Sequence, residues 1–241
     1  MAWEIEIKGD EDVLLALSRT DEVKKEEEYV LEGRDNKFVL CGKAFLQFQD
    51  AEKVREYGEK VTKLLSGTAR IHLGSQKKIS MIAVLKINEN GAKDIFVIPD
   101  PANFRVEASM SVSAVVMTKD GKIKEEPHPA KSVFKCITKA LKNEAVAKAL
   151  RLRDEDNLEW VQLYRIYEVI ESDIPKKDMV NKGWSSKKKI DLFKQTANSV
   201  KAIGDQARHG KEYTEPPSKP MDIWEAKGLV DDLLKQWFFE L

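Results

Sequence analysis

The spacing of apolar residues changes near the middle of this chain, and that change constrains the fold more strongly than any other feature. Before residue 118 the apolar residues tend to alternate, as in Trp3-Glu4-Ile5-Glu6-Ile7, which is typical of a strand with one buried face. After residue 129 they recur three and four residues apart, which is typical of amphipathic helices. The change predicts an α+β protein in which a sheet-rich domain precedes a helical one.

Residues 1–120 are predicted to form an antiparallel β-sheet that carries one or two helices. The Asn90-Gly91 pair predicts a tight hairpin, because both residues tolerate a positive φ. We expect Asp10 to cap one helix, and a second helix to begin near Val54 and end at Gly67. Strands are predicted over residues 3–7, 37–41, 69–73, 79–87, 94–98 and 104–117.

A polar linker over residues 121–130 is predicted to separate this domain from a four-helix bundle over residues 131–241. The last helix has the widest apolar stripe, which includes Ile223, Val230 and Trp237. One solvated helix rarely leaves so much apolar surface exposed, so we expect a self-association face and a homo-oligomer. The four helices are predicted over residues 131–150, 155–173, 186–203 and 222–240.

The net charge of the chain gives no reason to expect a polyanionic partner, but one segment does. Lys plus Arg and Asp plus Glu both number 41, so the charges balance. Residues 174–211 instead contain ten Lys or Arg residues and three Asp residues, an excess of seven positive charges. This excess could attract RNA, or it could be a solvated, lysine-rich surface.

No metal, cofactor or membrane partner is expected. Cys41 and Cys136 lie far apart, match no metal-ligand spacing and are predicted core residues of a reduced protein. The glycines form no phosphate-binding loop. No apolar run approaches the roughly 20 residues that span a bilayer, and the N-terminus lacks a secretion signal, so a cytoplasmic location is expected.

A line of polar side chains on the third predicted helix leads to a histidine. His209 follows Arg208, and an imidazole exchanges protons near neutral pH. The line could guide a phosphate backbone towards His209. It could also be a row of exposed ion pairs, each of which contributes only about 0.2–0.5 kcal/mol. Its members are Lys187, Asp191, Lys194, Asn198, Lys201 and Asp205.

The helical half resembles the HEPN domains of prokaryotic defence and toxin systems. The resemblance lies in Trp160–Glu168 (WVQLYRIYE), Phe193–Asn198 (FKQTAN), Gly204–Gly210 (GDQARHG) and the closing amphipathic helix. HEPN domains are small helical bundles, often dimeric, and many cleave RNA without a metal. Active members have an arginine, four to six further residues and then the histidine. Here that arginine position falls on Ala202, Ile203 or Gly204.

The resemblance implies a metal-independent RNA site with His209 and Arg208 as its catalytic residues. His209 would transfer protons, and Arg208 would offset the negative charge that develops at the phosphorus. Asn198 and Asp205 would orient the imidazole. The nucleic-acid-binding cations would be Lys187, Lys194, Lys201 and Lys211. In a competing interpretation, His209 bonds to its loop, and Arg208 pairs with Glu168 or Asp205 to hold the bundle together.

Two functions therefore remain open. The first is a HEPN-like nucleic-acid-associated protein that binds or cleaves RNA in a prokaryotic defence system, as a metal-independent endoribonuclease if it is an enzyme. The second is a non-catalytic dimerisation or docking module whose N-terminal domain binds a protein partner. Aromatic residues of the helical half could stack on bases, but at helical spacing they are more often core residues.

Overall fold

A computed structural model describes residues 2–18, 27–34, 37–89, 91–98, 129–208 and 214–240. The chain forms two compact units. One comprises Met1–Ala69 with Ser75–Lys135, and the other comprises Arg70–Gly74 with Cys136–Leu241. A five-stranded antiparallel sheet with helices precedes a mostly helical region, which confirms the predicted α+β class. The predicted linker over residues 121–130 lies largely outside the described residues.

The sheet of the first unit has the strand order β2-β3-β1-β4-β5. Neighbouring strands run antiparallel. The predicted hairpin joins β4 to β5, and Gly91 adopts a φ of +80° in its turn, a conformation that glycine reaches without a steric penalty. The strands are β1 (Ala2–Lys8), β2 (Val30–Arg34), β3 (Lys37–Cys41), β4 (Ser80–Ile87) and β5 (Lys93–Val97).

Two helices supply much of the apolar core of this unit. They are α1 (Glu11–Ser18) and α2 (Ala51–Leu73). Leu14 and Leu17 of α1 are buried, as the predicted helical pattern requires. The α2 backbone approaches the sheet closely at Gly58, where a Cβ atom would lie 2.8 Å from Met81 Sδ and 3.1 Å from Ile5 Cγ2.

The predicted strand over residues 69–73 is wrong, because these residues form the last turns of α2. Their alternating pattern reflects the burial of Ala69 and Ile71 at the end of a long helix. Gly67 lies inside that helix and does not cap it. Instead Gly74, with a φ of +68°, follows the last helical residue, as expected of a left-handed helix cap. The predicted strand over residues 104–117 lies outside the described residues.

The C-terminal region is mostly helical, and two of its predicted helices are divided. Residues 131–150 divide at Asn143, whose Oδ1 accepts hydrogen bonds from the backbone N–H groups of Ala145 and Val146, so Asn143 begins a new helix. Residues 186–203 divide at Asn198 and Ser199. The helices are α3 (Pro129–Lys142), α4 (Glu144–Arg153), α5 (Trp160–Asp173), α6 (Lys176–Asn181), α7 (Lys187–Ala197), α8 (Val200–Ile203) and α9 (Ile223–Glu240).

An aromatic cluster joins α5 to α7 in the second unit. Phe193 of α7 lies 6.1 Å from Trp160, 5.8 Å from Tyr164 and 5.7 Å from Tyr167, measured between ring centroids. All four residues are buried. Aromatic pairs at these separations stabilise a core beyond the area that they bury, so the cluster fixes how α7 lies along α5.

None of the described helices combines the length and the apolar composition that a membrane span requires.

Two glycine substitutions should have opposite effects on stability. Gly58→Val should lower the free energy of unfolding by about 2 kcal/mol, because its side chain has no space against Met81 and Ile5. Gly228→Ala in α9 should raise it by about 0.5–1 kcal/mol, because a Cβ there meets no described atom within 4 Å and alanine favours a helix. Urea unfolding of both variants checks this. An equally stable Gly58→Val protein would contradict the close approach.

Candidate functional site

Arg208, one of the two predicted catalytic residues, is held by two side chains of α5. Its Nη2 donates a hydrogen bond of 2.5 Å to Glu168 Oε1. Its guanidinium carbon lies 4.5 Å from the centre of the Tyr164 ring, within the range of a cation–π interaction. The backbone N–H of Arg208 also donates to the carbonyl of Ala197 at the end of α7. The structure thus contains the ion pair of the competing interpretation, between Arg208 and Glu168.

Lys194 is held by α5 in the same way. Its Nζ lies 3.0 Å from Glu171 Oε1 and 5.1 Å from the centre of the Tyr167 ring. In each case a tyrosine and the glutamate four residues later, one helical turn away, hold one cation. We call Tyr164 with Glu168 and Tyr167 with Glu171 the Tyr-Glu pairs. Burial, and then the hydrogen bond to Glu171, raise the pKa of the Tyr167 hydroxyl above its ordinary value, so this phenol stays neutral.

The other predicted site residues are dispersed. Lys187 is exposed at the first position of α7, and Asp205 is exposed in the short 3-10 turn Gly204–Gln206. Lys201 Nζ lies 2.9 Å from Glu215 Oε1. His209 and Lys211 lie outside the described residues.

Asn198 bonds to the helix that it follows. Its Nδ2 donates 2.7 Å to the carbonyl of Lys194, while its Oδ1 is buried without a hydrogen-bond partner among the described residues. A side chain that bonds to the preceding helical turn satisfies a backbone group at the helix end. Asn198 therefore stabilises the end of α7, and its role in orienting an imidazole stays a prediction.

Carboxylates from outside residues 174–211 reduce the positive excess of that segment. Glu168, Glu171 and Glu215 contact Arg208, Lys194 and Lys201, and Glu240 contacts Lys182. Inside the segment, Lys176 pairs with Asp191 at 2.7 Å. The electrostatic attraction for a polyanion is therefore weaker there than the sequence count implies.

A groove between α4 and α5 lies beside the first Tyr-Glu pair. Its volume is about 520 Å³. Lys148 and Arg165 line it and are exposed, and Glu168 lines it while bonded to Arg208. With Glu168 neutralised, the groove has two positive charges. Its lining residues are Lys148, Leu152, Arg165, Glu168, Val169 and Ser172.

This groove was not predicted from the sequence, because its cations lie outside the lysine-rich segment. A signal was nevertheless present: Arg165, Glu168 and Ser172 are spaced three and four residues apart, so they share a helix face. Lys148 and Leu152 are related in the same way on α4. That the two faces meet depends on helix packing, which neither spacing reveals.

Most of the aromatic residues considered for base stacking are core residues. Trp160, Tyr164, Tyr167 and Trp237 are buried. Trp184 is half-buried. Trp224 is 73% exposed at the start of α9, where Lys227 Nζ lies 4.4 Å from its ring centre.

A cysteine and a histidine lie close together elsewhere in this unit. Cys136 Sγ is 3.7 Å from His72 Nε2. Burial, and then the charge of Lys235, lower the pKa of His72 below its ordinary value, so its imidazole is neutral at physiological pH. In the described part of the chain, no three His, Cys, Asp or Glu side chains converge on a possible metal position.

Comparison of the chain with protein-family models, with curated proteins and with solved structures finds no match.

A double-mutant cycle should measure the contact between Arg208 and Glu168. We expect Arg208→Gln and Glu168→Gln to show a coupling free energy of about 0.5–1 kcal/mol, because both side chains are only partly exposed. The more exposed Lys201 and Glu215, treated in the same way, provide the matched control and should show little coupling. Urea unfolding gives both values, and equal coupling in the two cycles would be evidence against the α5 contact.

His72 should make the second unit less stable in mild acid. The unfolded chain binds a proton at the ordinary histidine pKa near 6.5, whereas the folded chain binds it only at lower pH. Stability is therefore fully present above about pH 6.5 and is lost as the pH falls towards the lowered pKa.

His72→Asn should flatten this pH dependence, and Lys235→Gln should reduce it, because Lys235 contributes to the shift. Urea midpoints between about pH 7.5 and about pH 5.5 measure the effect. A wild-type curve that is parallel to the His72→Asn curve would contradict the lowered pKa.

Proposed function

We propose that the protein is a HEPN-like nucleic-acid-associated protein whose helical unit binds RNA along the groove between α4 and α5. The observation that carries the proposal is the presence of Lys148 and Arg165 in one open groove. Neither makes an ion pair with a described residue, in contrast to Lys194, Lys201 and Arg208. Cations without a carboxylate partner bind phosphates without first breaking an ion pair.

The groove also offers the geometry that a phosphate group prefers. A guanidinium presents several N–H donors in one plane and can bind two phosphate oxygens at once, while an ammonium adds a point charge. Arg165 and Lys148 supply one of each. Ser172 Oγ, which donates to the carbonyl of Val169, retains lone pairs, so it can contact a ribose hydroxyl donor.

Cleavage, if the protein is an enzyme, would depend on His209 for proton transfer. A cation near the scissile phosphate would also be needed. Arg208 could supply it once a phosphate oxygen replaces Glu168 as its partner. The protein would then act as a metal-independent endoribonuclease, with the α4–α5 groove binding the RNA strand.

Fluorescence anisotropy with labelled tRNA tests the groove. Lys148→Gln combined with Arg165→Gln should weaken binding about tenfold or more and reduce the slope of log affinity against log salt by about 1.5 to 2. The control is Lys177→Gln combined with Lys188→Gln, which removes two exposed lysines outside the groove. Glu168→Gln should tighten binding, because this carboxylate then no longer offsets the positive charge of Arg208 beside the groove.

Equal losses in the groove and control variants would show only general attraction to positive charge and would contradict the proposed site. Circular dichroism verifies that each variant is folded. The same RNA incubated in EDTA with wild type and His209→Ala tests cleavage, which the enzymatic form of the proposal expects to be lost in the variant.

A second candidate function is protein docking through the N-terminal sheet. Strand β5 is at one end of the strand order and pairs, among the described strands, with β4 alone. All five of its residues are exposed, including Ile95, Phe96 and Val97. An exposed apolar edge strand can pair with a strand of another chain. If the wild type does not bind tRNA even at low salt, the RNA proposal is wrong and this alternative is favoured.

A further inference from the structure

A second cavity lies in the sheet-containing unit and combines buried charge with apolar walls. Its volume is about 420 Å³, within the range of small-molecule sites. Strand register places Glu32 opposite Val39, and Val39 opposite Glu6. Because directly paired residues share a sheet face and alternate residues return to it, Glu4 and Glu32 lie on the same face. Both line the cavity.

One arginine bridges these two carboxylates. Arg34 Nη1 lies 2.9 and 3.1 Å from the two oxygens of Glu4, and its Nε lies 2.5 Å from Glu32 Oε2. Glu4 is only 8% exposed. Burial alone would lower the pKa of the Arg34 guanidinium, but its hydrogen bonds to Glu4 and Glu32 raise the pKa above its ordinary value. Among the residues that line the cavity, the formal charges of two carboxylates and one guanidinium sum to one negative charge.

The carboxylates also retain unused hydrogen-bond acceptors. Each carboxylate can accept about four hydrogen bonds. Within the described residues, however, Glu4 accepts hydrogen bonds from one donor atom, Arg34 Nη1. Glu32 Oε1 faces the weak donor Cys41 Sγ at 3.7 Å. Burial, followed by the charges of Glu32 and Glu4, raises the pKa of the Cys41 thiol to about 12. The thiol is therefore neutral and leaves the charge of the cavity unchanged.

The remaining walls suit an apolar ligand body. Trp3, Leu46 and Ile87 line the cavity together with Ala2 and Val30. Leu46 is 62% exposed, so it can exchange contact with water for contact with a ligand. Lys86 Nζ already lies 5.6 Å from the centre of the Trp3 ring. The carboxylates, and not this ring, are therefore the groups available to a new cation.

The backbone beside the cavity is specific to glycine. Gly42 adopts a φ of +131°, and a Cβ there would lie 2.5 Å from the carbonyl oxygen of Glu28. The short 3-10 helix Lys43–Phe45 follows directly and leads to Leu46. Gly42 therefore allows the tight turn that places Leu46 at the cavity.

From the net negative charge, the unused acceptors and the apolar walls, we propose that this cavity binds a small organic cation. The ligand would be a primary amine whose ammonium group donates to Glu4 and Glu32, while its apolar body contacts Leu46 and Ile87. An ammonium has three N–H donors, and ionised carboxylates offer only acceptors, so the two groups are complementary. An anion would meet two carboxylates and an arginine that is already bonded to both.

Isothermal titration of the full chain with three probes of similar shape tests the proposal. The probes are phenethylamine, the neutral phenethyl alcohol and the anionic phenylacetate. We expect phenethylamine to saturate the protein below about 10 mM, as is reasonable for so small a ligand, and to bind about tenfold or more tightly than the other two.

Two variants and their controls locate the binding. Glu32→Gln should weaken phenethylamine binding about tenfold, and so should Leu46→Lys, which adds a cation at an exposed position and so does not threaten folding. The controls are Glu11→Gln and Leu15→Lys, which change exposed positions of α1 and should leave binding unchanged. No saturation by phenethylamine, equally tight binding of phenethyl alcohol, or binding that Leu46→Lys leaves unchanged would overturn the proposal.

Discussion

The contact between Phe193 and the aromatic face of α5 determines the geometry of the helical unit. Phe193 lies within about 6 Å of the rings of Trp160, Tyr164 and Tyr167, and all of these rings are buried. Because such a core is closely packed, α5 and α7 have little freedom to slide past each other. The glutamates of the Tyr-Glu pairs lie one helical turn beyond Tyr164 and Tyr167. They therefore face two cations, Lys194 of α7 and Arg208, which follows α7 in the chain. A buried aromatic contact thus places the two surface ion pairs, those of Arg208 and Lys194.

Those ion pairs change how the charges of this protein should be interpreted. In sequence, residues 174–211 carry seven excess positive charges, but carboxylates from α5, α9 and the segment before α9 offset several of them. The lining of the groove between α4 and α5 contains only two cations, Lys148 and Arg165. Neither has a carboxylate partner among the described residues. For a polyanion the availability of a cation matters as much as the number of cations. This is the physical reason why the proposed RNA site lies beside the lysine-rich segment and outside it.

The fold class could be predicted from sequence because hydrophobic spacing reports which face of an element is buried. It identified the strands at residues 3–7 and 79–87, the β4–β5 hairpin and the closing helix α9. It failed at residues 69–73, where a buried helix end imitates strand alternation, and at Asn143, whose capping hydrogen bonds depend on side-chain conformation. The sequence suggests two partners for Arg208, Glu168 and Asp205, and the structure contains the pair with Glu168. The α4–α5 groove and the cavity beside Glu4 and Glu32 could not be predicted, because each joins residues from separate elements.

Crosslinking tests most directly the claim that RNA lies along the α4–α5 groove. Labelled tRNA containing 4-thiouridine would be bound to the full chain, irradiated and digested, and the crosslinked peptides identified by mass spectrometry. We expect crosslinks to concentrate in peptides from α4 and α5, around Lys148 and Arg165, and to be lost in the Lys148→Gln, Arg165→Gln variant. Crosslinks confined to the N-terminal sheet, or to the lysines of α6 and α7, would contradict this claim.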